Sequence, residues 1–477
     1  MSHPVLAALA DAVGARNVQT GDTIEPRFHT DLRRTLHAPP LCVVRPGSTE
    51  EVAAVMRAAL AHGVPVTTQG GRTNTVLGAM AGPAGIVLSL DRMTRIEEVD
   101  ERSMTITVEA GVPLQAVQEA AAAVGLLVPL DLGSRGTAMV GGVISTNAGG
   151  LRAVRWGVAR EMVLGLEAVL ADGTIADGLK KMLKDNAGYD WKHLMIGSEG
   201  TLGIVTRATL RLRPMPRSTM TAFLGVTGFD GIYGLLRDLD RDLGGQVTSF
   251  ELMWRELYEL VTDFYKDRTA PLPADYPIYV LVEAMGGDAD ADPARFEAVL
   301  AAAIERGQVV DAVIAKSERE RAALWAMRDD IGEPMRAKGP MYAFDVSVGL
   351  SDMPATVERT VAAVKAHYPE AFILTYGHAG DGNLHFVIGV GEYNAAAEHR
   401  VDLAVYGAVQ QARGSISAEH GVGLAKRDYL HFSRRPGELA LMHMLKRALD
   451  PTNILNPGKV IDAASGAAAG AEATIAA

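Results

Sequence analysis

The pattern of apolar and polar positions changes about halfway along the chain. In the first half, short apolar runs are separated by turns rich in glycine, which is typical of an α/β region. Residues 50–62 have the spacing of an amphipathic helix, and Ser48 or Thr49 can cap its start. The same half predicts strands over 64–68, 86–90 and 104–109 and a second helix over 114–124.

Beyond residue 219, strand-like runs alternate with longer helical runs. The predicted strands are 278–283, 344–348, 372–376 and 385–390, and the predicted helices are 293–306, 353–367 and 395–412. Antiparallel strands covered by separate helices form an α+β domain, and this alternation suits ferredoxin-like repeats. The Pro- and Arg-containing stretch 214–217 is the predicted boundary between the two halves.

Length and composition narrow the class of protein. A chain of 477 residues is too long for one ordinary core, so two or more domains are expected. The net charge of −11 disfavours nucleic acid and a broad anionic membrane surface as partners. Cys42 is the single cysteine, which excludes an internal disulfide and Cys-rich metal clusters. No apolar run predicts a membrane span or a secretory leader, so a cytoplasmic location is expected. The tail 462–477 is rich in Ala, Gly and Ser and is predicted to be disordered.

Three glycine clusters punctuate the first half. In the first, the strand 64–68 leads into Gln69, Gly70 and Gly71, whose backbone N–H groups can cradle a diphosphate. A plain Gly-Gly hairpin between strands is the alternative. The cluster is neither a GxGxxG motif nor a Walker loop, so nicotinamide and P-loop binding lose support.

The other two clusters carry separate alternatives. Residues 133–150 combine glycine pairs with Ser, Thr and Asn and suit a cofactor that lies against backbone, whereas the alternative is a Gly-rich contact between helices. Residues 197–205 can present backbone groups to a nucleotide or flavin edge, or can simply be a turn that feeds a core strand.

Two histidines flank a turn that contains Gly and Asp. A strand entering the turn and a strand leaving it can bring His378 and His385 together, and Glu419 with His420 follows in a second Gly-rich turn. Two neutral imidazoles and one carboxylate make an open site for a divalent ion such as Zn²⁺ or Mn²⁺. The alternative is that these histidines are ordinary core or surface residues.

The three glycine clusters, in this order, resemble the FAD-binding domain of the vanillyl-alcohol oxidase / para-cresol methylhydroxylase superfamily. The resemblance implies an α+β fold, with a two-part FAD-binding domain over residues 35–215. It also implies non-covalent FAD, because Arg72 and Thr73 follow the first glycine pair where some members carry a histidine or cysteine. The residues that it assigns to the cofactor are Gln69, Gly70, Gly71, Arg72, Thr73, Gly133, Thr137, Gly141, Gly142, Ser145, Thr146, Gly149, Gly150, Gly157, Glu199, Gly203, Ile204 and Asn456.

The second half resembles the FAD-linked oxidase C-terminal domain of D-lactate dehydrogenases, D-2-hydroxyglutarate dehydrogenases and the glycolate oxidase flavoprotein subunit. The paired motifs HAGDGNLH and SAEHGVG carry this resemblance. It implies an α+β domain with an antiparallel sheet over residues 216–461. It further implies His378, His385 and Glu419 as metal ligands, His420 as catalytic base and substrate contact, and Asn383 and Arg328 as substrate contacts. A helix-surface arginine is the alternative for Arg328.

These residue types suit the oxidation of a D-2-hydroxy acid to its 2-oxo acid by hydride transfer to FAD, assisted by a metal. Gly332 and Ala343 stand where some members, notably those acting on D-2-hydroxyglutarate, carry a threonine and a lysine, which favours a monocarboxylate or a bulkier acid. The expected acceptor is an electron-transfer flavoprotein, a cytochrome or a quinone. A homodimer is compatible with the sequence.

Three rival functions stay open at this point. An oxygen-dependent flavin oxidase would use the same cofactor residues. A flavoprotein subunit of a larger electron-transfer complex, similar to glycolate oxidase, would be nearly inactive alone. A metal-dependent hydrolase accounts for the histidines but leaves the three glycine clusters without a role.

Overall fold

The computed structural model describes residues 3–32 and 37–461, which form two compact units. The first unit consists of the described residues of Met1–Gly150, Val158–Met215 and Glu419–Ala477, and the second of Leu151–Gly157 and Pro216–Ala418. The tail 462–477, for which disorder is predicted, and residue 35, the predicted start of the FAD-binding domain, lie outside the described residues.

The two units differ from the predicted domains 35–215 and 216–461 at two places. Residues 419–461 return to the first unit, where Val66 and Leu455 form a parallel bridge. Residues 151–157 belong to the second unit, because the Ser249 hydroxyl donates to the Leu151 carbonyl and the helix Ala153–Trp156 packs on the strand that carries Ser249. A prediction along the chain cannot show such returns.

The first unit contains two main sheets and a small ribbon. The strands are β1 Val18–Thr20, β2 Cys42–Val44, β3 Val66–Gln69, β4 Ile86–Ser89, β5 Ile96–Asp100, β6 Thr105–Glu109, β7 Leu126–Leu127, β8 Val163–Val169, β9 Ile175–Gly178, β10 Ile204–Arg211 and β11 Arg213–Pro214. Four strands have the order β1-β2-β4-β3, in which β2, β4 and β3 are parallel. An antiparallel sheet has the order β5-β6-β10-β8-β9, and β7 pairs with β11.

The parallel pairing of β3 with β4 decides between the two interpretations of the first glycine pair. A hairpin joins antiparallel strands, so the hairpin alternative for Gly70 and Gly71 is wrong. These glycines begin instead a long loop between β3 and β4.

Helices cover the strands of the first unit. The predicted helix 50–62 is confirmed as Thr49–His62; the Ser48 hydroxyl accepts the Glu51 N–H at 3.2 Å, and Gly63 ends the helix in the left-handed region at φ 61°. The other α-helices are Val5–Val13, Leu114–Ala122, Val140–Ser145, Ala159–Met162, Lys192–Met195 and Pro436–Leu449, and the short 3₁₀ helices are Ala15–Asn17, Gly21–Thr23, Pro26–Phe28 and Arg427–Phe432.

The second unit is built on one antiparallel sheet of seven strands. The strands are β12 Ser218–Val226, β13 Val247–Trp254, β14 Ile278–Gly286, β15 Asp311–Ile314, β16 Tyr342–Ser347, β17 Phe372–His378 and β18 Asn383–Gly389. Their order in the sheet is β15-β12-β14-β13-β17-β18-β16. The helices are Ala153–Trp156, Phe229–Asp242, Arg255–Phe264, Ala291–Glu305, Glu318–Asp329, Gly332–Ala337, Met353–His367 and Ala395–Gln411, with a 3₁₀ turn at Leu350–Asp352.

The connectivity of this sheet matches the predicted ferredoxin-like repeats. Strands β12 to β15 with their helices have the order 4-1-3-2, which is a complete repeat. Strands β16, β17 and β18 have the order 2-3-1 of a second repeat, and its fourth strand is reduced to a single bridge between Ser347 and Ser415. The two repeats join through β13 and β17, and this junction carries the polar residues described below.

One face of the sheet in the second unit packs into an apolar core beneath helices Arg255–Phe264 and Glu318–Asp329. Phe223, Tyr258 and Tyr279 stack there with ring centroids 3.9–5.8 Å apart. Burial of this much aromatic surface fixes the helices on the sheet. Among the residues described in both units, no helix combines the length and the hydropathy needed to cross a membrane.

Candidate active site

The first unit contains a cavity of about 310 Å³ between its glycine clusters. All three predicted clusters contribute to its wall, together with the half-buried Glu419 and His420. The predicted cofactor residues on the wall are Gly70, Gly71, Arg72, Thr73, Gly133, Gly141, Gly142, Ser145, Thr146, Gly149, Glu199, Gly203 and Ile204.

The glycines of this wall are required by close backbone packing. A Cβ on Gly71 would lie 1.9 Å from the Thr137 carbonyl oxygen, and one on Gly141 would lie 2.7 Å from the Ala110 Cβ. Gly142 differs, because a Cβ there would project into open space, and Gly142 lines the cavity. The helix Val140–Ser145 of the second cluster packs mainly on β10 and β6 and exposes the Gly142 backbone to the cavity, which does not match the helix–helix alternative.

The remaining predicted cofactor residues lie behind the wall or away from it. The Gln69 amide donates to the Ala79 carbonyl at 2.6 Å, and the Asn456 amide donates to the carbonyls of Gly78 and Glu199 at 3.0 and 2.8 Å. The Thr137 carbonyl packs closely against Gly71, and the Gly150 N–H donates to Glu419. Gly157 belongs to the second unit.

Glu199 ties the third glycine cluster to the loop that carries His420. Its buried carboxylate accepts the N–H groups of Val422 and Gly423 at 2.6 and 2.9 Å. Burial raises the pKa of the Glu199 carboxyl, although these two N–H groups oppose the shift. The Asn74 amide donates to the His420 carbonyl at 3.1 Å, so the backbone on both sides of residue 421 is fixed.

The residues around this cavity fit an FAD. Its wall combines the open backbone at Gly142 with the side chains of Thr73, Ser145 and Thr146, which can pair with a polar ligand. These groups suit a cofactor that combines a diphosphate with a polar ring system.

The second unit brings the two predicted histidine ligands together. His378 ends β17, and His385 lies on β18, beyond the tight turn between the two strands. Their Nε2 atoms lie 3.4 Å apart, and both rings are buried. Two imidazole nitrogens this close fit the donor set of a Zn²⁺ or Mn²⁺ site.

A buried ion pair lies directly behind His378. Glu251 of β13, which pairs with His378 in register, accepts from His378 Nδ1 at 2.6–2.7 Å and from Arg328 Nε at 3.1 Å. Burial alone would raise the pKa of the Glu251 carboxyl, but His378 and Arg328 hold it below its ordinary value. The Arg328 guanidinium also lies 4.8 Å from the centre of the Tyr376 ring.

Arg328 is not the helix-surface arginine of the alternative interpretation. The residue is 8% exposed, and its hydrogen bond to Glu251 leaves from Nε. Within the described residues, its two terminal amino groups have no acceptor, so they can form a bidentate pair with a carboxylate. Burial lowers and Glu251 raises the pKa of Arg328, with a net rise.

Asn383 lies on the same face of β18 as His385, because side chains two residues apart share a face. Its side-chain amide is buried, and neither of its polar atoms has a partner among the residues described. An unpaired buried amide at this place is consistent with the predicted contact to substrate.

Glu419 and His420 belong to the first unit but follow the last residue of the second directly. The Ala418 N–H donates to the Asp345 carbonyl at 3.4 Å, and Asp345 pairs with His385 in the sheet. Glu419 is thus the first residue of the segment that returns to the first unit, and it lies in the cavity wall. There Glu419 Oε1 accepts the Gly150 N–H at 2.9 Å.

Sequence reasoning missed the residues that support the site. Glu251 lies in an apolar strand far from His378 along the chain, and no spacing rule connects the two. The pairing of Lys446 with Asp450 could have been predicted from the sequence, since side chains four residues apart on a helix can pair. They form a fully buried ion pair at 2.6 Å, and Lys446 also donates to the carbonyls of Thr201 and Leu455 at 3.0 and 2.8 Å.

The fold and the two sites define a flavoprotein of the para-cresol methylhydroxylase type. The structure of p-cresol methylhydroxylase with substrate bound superposes with a TM-score of 0.74 at 17% identity, and 96% of each chain is covered. Family models agree with this class. Residues 215–460 match the C-terminal domain of FAD linked oxidases, and residues 40–178 match an FAD binding domain.

Two relatives narrow the class to a family. D-2-hydroxyglutarate dehydrogenase of Xanthomonas citri pv. viticola is 38% identical over 97% of this chain and 98% of its own. A putative mitochondrial D-lactate dehydrogenase of Schizosaccharomyces pombe is 35% identical over 91% of this chain and 84% of its own. The chain belongs to the FAD-linked D-2-hydroxy-acid dehydrogenase family. This confirms the predicted fold class and the predicted enzyme class.

Proposed function

We propose that this chain oxidises a D-2-hydroxy acid with an uncharged C2 substituent, of the D-lactate type, to its 2-oxo acid. In this proposal His378, His385 and Glu419 hold a divalent metal, and electrons leave the flavin to a flavoprotein, cytochrome or quinone. The observation that carries the proposal is the histidine pair with Nε2 atoms 3.4 Å apart, linked through Glu251 to Arg328. The cytoplasmic location stays a prediction.

Each residue has a chemical task in this account. The terminal amino groups of Arg328 pair with the substrate carboxylate, and Asn383 donates to or accepts from the substrate. His420 accepts the proton of the C2 hydroxyl group, because an imidazole can act as a base near neutral pH. When bound, FAD would supply the acceptor for the C2 hydride, and a divalent metal would lower the free energy needed to ionise the C2 hydroxyl group.

Two positions in the second unit support this substrate class. Ala343 of β16 lies opposite Val387 of β18, and Val387 is two residues beyond His385 on the same strand face. Gly332 begins the helix Gly332–Ala337 and offers no side chain. Neither position can pair with a second carboxylate, which favours an uncharged substituent over the dicarboxylate named in many relatives.

D-2-hydroxyglutarate is the second candidate substrate, and the names of the relatives favour it. Steady-state kinetics with D-lactate, longer unbranched D-2-hydroxy acids and D-2-hydroxyglutarate separates the two. We expect the highest kcat/KM for an uncharged acid, and we expect Ala343→Lys to shift the preference toward D-2-hydroxyglutarate. A kcat/KM for D-2-hydroxyglutarate that exceeds all the others tenfold would contradict the proposed class.

A further inference from the structure

Glu251 occupies a position that neither the reaction nor the fold alone explains. It is fully buried in the middle of a sheet, where an unpaired carboxylate is costly. Its two partners are a proposed metal ligand, His378, and the proposed substrate arginine, Arg328. One carboxylate thus joins two groups that must act on the same substrate.

The contact with Glu251 determines which nitrogen of His378 can bind a metal. An ionised carboxylate only accepts hydrogen bonds, so a neutral His378 must carry its proton on Nδ1. That leaves the Nε2 lone pair free of a proton, and Nε2 is the atom that faces His385. A carboxylate that fixes a ligand histidine in this way also raises the basicity of the histidine.

Asp345 does not make the same contact with His385. The nearest Asp345 carboxylate oxygen lies 3.9 Å from His385 Nδ1, beyond hydrogen-bonding distance, whereas Glu251 lies 2.6 Å from His378 Nδ1. Glu251 therefore supports His378 by a hydrogen bond that Asp345 does not make to His385.

We propose that Glu251 is a positioning residue, which fixes His378 as an Nε2 metal ligand and holds Arg328 with its terminal amino groups available to the substrate. The proposal rests on the metal site of the proposed function. It assigns Glu251 no contact with substrate or flavin, and its effect reaches the reaction through His378 and Arg328.

Glu251→Gln tests this role, and Glu283→Gln is a matched control. The amide that replaces the Glu251 carboxylate would offer one acceptor oxygen to two donors, so either His378 or Arg328 would lose its partner. Glu283 is also buried, on the neighbouring strand β14, and accepts from Arg321 and Trp325 of the same helix as Arg328. Its hydrogen bonds go to that helix and to β12 rather than to a histidine. Both variants lose a buried carboxylate, and only the first should alter the metal site.

The measurement is the affinity of the FAD-loaded enzyme for Zn²⁺ or Co²⁺, in competition with a chromophoric chelator. We expect Glu251→Gln to bind about 10–100-fold more weakly than the wild type and Glu283→Gln to bind equally well. Equal metal affinity in Glu251→Gln and wild type would overturn the inference. Absence of metal binding in the wild type itself would overturn the proposed function, so the two failures are distinguishable.

A second measurement needs no folded Glu251 variant. The ¹⁵N shifts of histidine side chains in the metal-free wild type report the tautomer, and His378→Gln assigns the His378 signal. We expect the Nδ1–H tautomer for His378. A predominant Nε2–H tautomer would overturn the inference.

Discussion

The Nε2 atoms of His378 and His385 lie 3.4 Å apart in the sheet of the second unit. Gly377, the residue before His378 in β17, makes this close approach of β17 and β18 possible, because a Cβ on Gly377 would lie 2.2 Å from the Asn383 carbonyl oxygen. The chain thus uses a glycine to let two strands meet closely enough for one ion to touch both rings.

Removal of a proposed metal ligand should separate flavin binding from turnover. We expect His378→Ala and Glu419→Gln to lose turnover by at least about a hundredfold while the bound flavin stays. His378 does not line the cavity, and an amide oxygen at position 419 can still accept the Gly150 N–H. Metal analysis, the flavin spectrum and steady-state rates check this. His367→Ala, a change at an exposed histidine, serves as control. Full activity of either ligand variant after exhaustive chelation would exclude the metal role.

The Lys446–Asp450 pair should stabilise the holoenzyme. Both side chains are fully buried, so Lys446→Met leaves a buried carboxylate without its cation and should cost about 3–5 kcal/mol of unfolding free energy. We also expect faster loss of FAD, since Lys446 holds Thr201 and Leu455 together next to Asn456. Urea unfolding measures the effect. Lys192→Met, which breaks a partly exposed pair with Asp190, should cost about 0–1 kcal/mol. Similar costs for the two variants would contradict this account.

Gly142→Ala should weaken FAD binding without unfolding the protein. The added Cβ meets no protein atom within 4 Å. It projects from the wall of the cavity, where we expect the cofactor to approach the backbone. Flavin titration of the apoprotein is the measurement. Gly407 lies in the helix Ala395–Gln411 with open space around it. Gly407→Ala should retain FAD and raise the free energy of unfolding by about 0.5–1 kcal/mol. Wild-type FAD affinity in Gly142→Ala would show that the cofactor does not approach this residue.

Cys42 should be unreactive in the folded enzyme. Burial raises the pKa of its thiol to about 12, so the reactive thiolate is scarce at pH 8. The folded protein holds the proton more tightly than the unfolded chain, so this group lowers the stability of the fold as pH rises above 9.0, its ordinary value. We expect a chromogenic disulfide reagent to titrate one thiol in denaturant and none rapidly in the native enzyme. Rapid native labelling would contradict the burial of Cys42.

Much of the local structure could be predicted from sequence, because it depends on neighbouring residues. The helix Met353–His367 has the predicted bounds, and the Ser48 cap follows from local hydrogen bonding. The return of residues 419–461 to the first unit could not be predicted, because the pairing of Val66 with Leu455 is a contact between distant segments. Glu251 was missed for the same reason: only the register of β13 with β17 brings it to His378.

The central claim is that a D-2-hydroxy acid reduces the bound flavin with the help of a metal held by His378, His385 and Glu419. Anaerobic mixing of the FAD-loaded enzyme with D- and L-2-hydroxy acids, before and after metal removal, tests it most directly. We expect the flavin absorbance to bleach with a D-acid only, to stay oxidised in the metal-free enzyme, and to bleach again when Zn²⁺ or Mn²⁺ is restored. Bleaching by the L-acids, or equal rates with and without metal, would contradict the account.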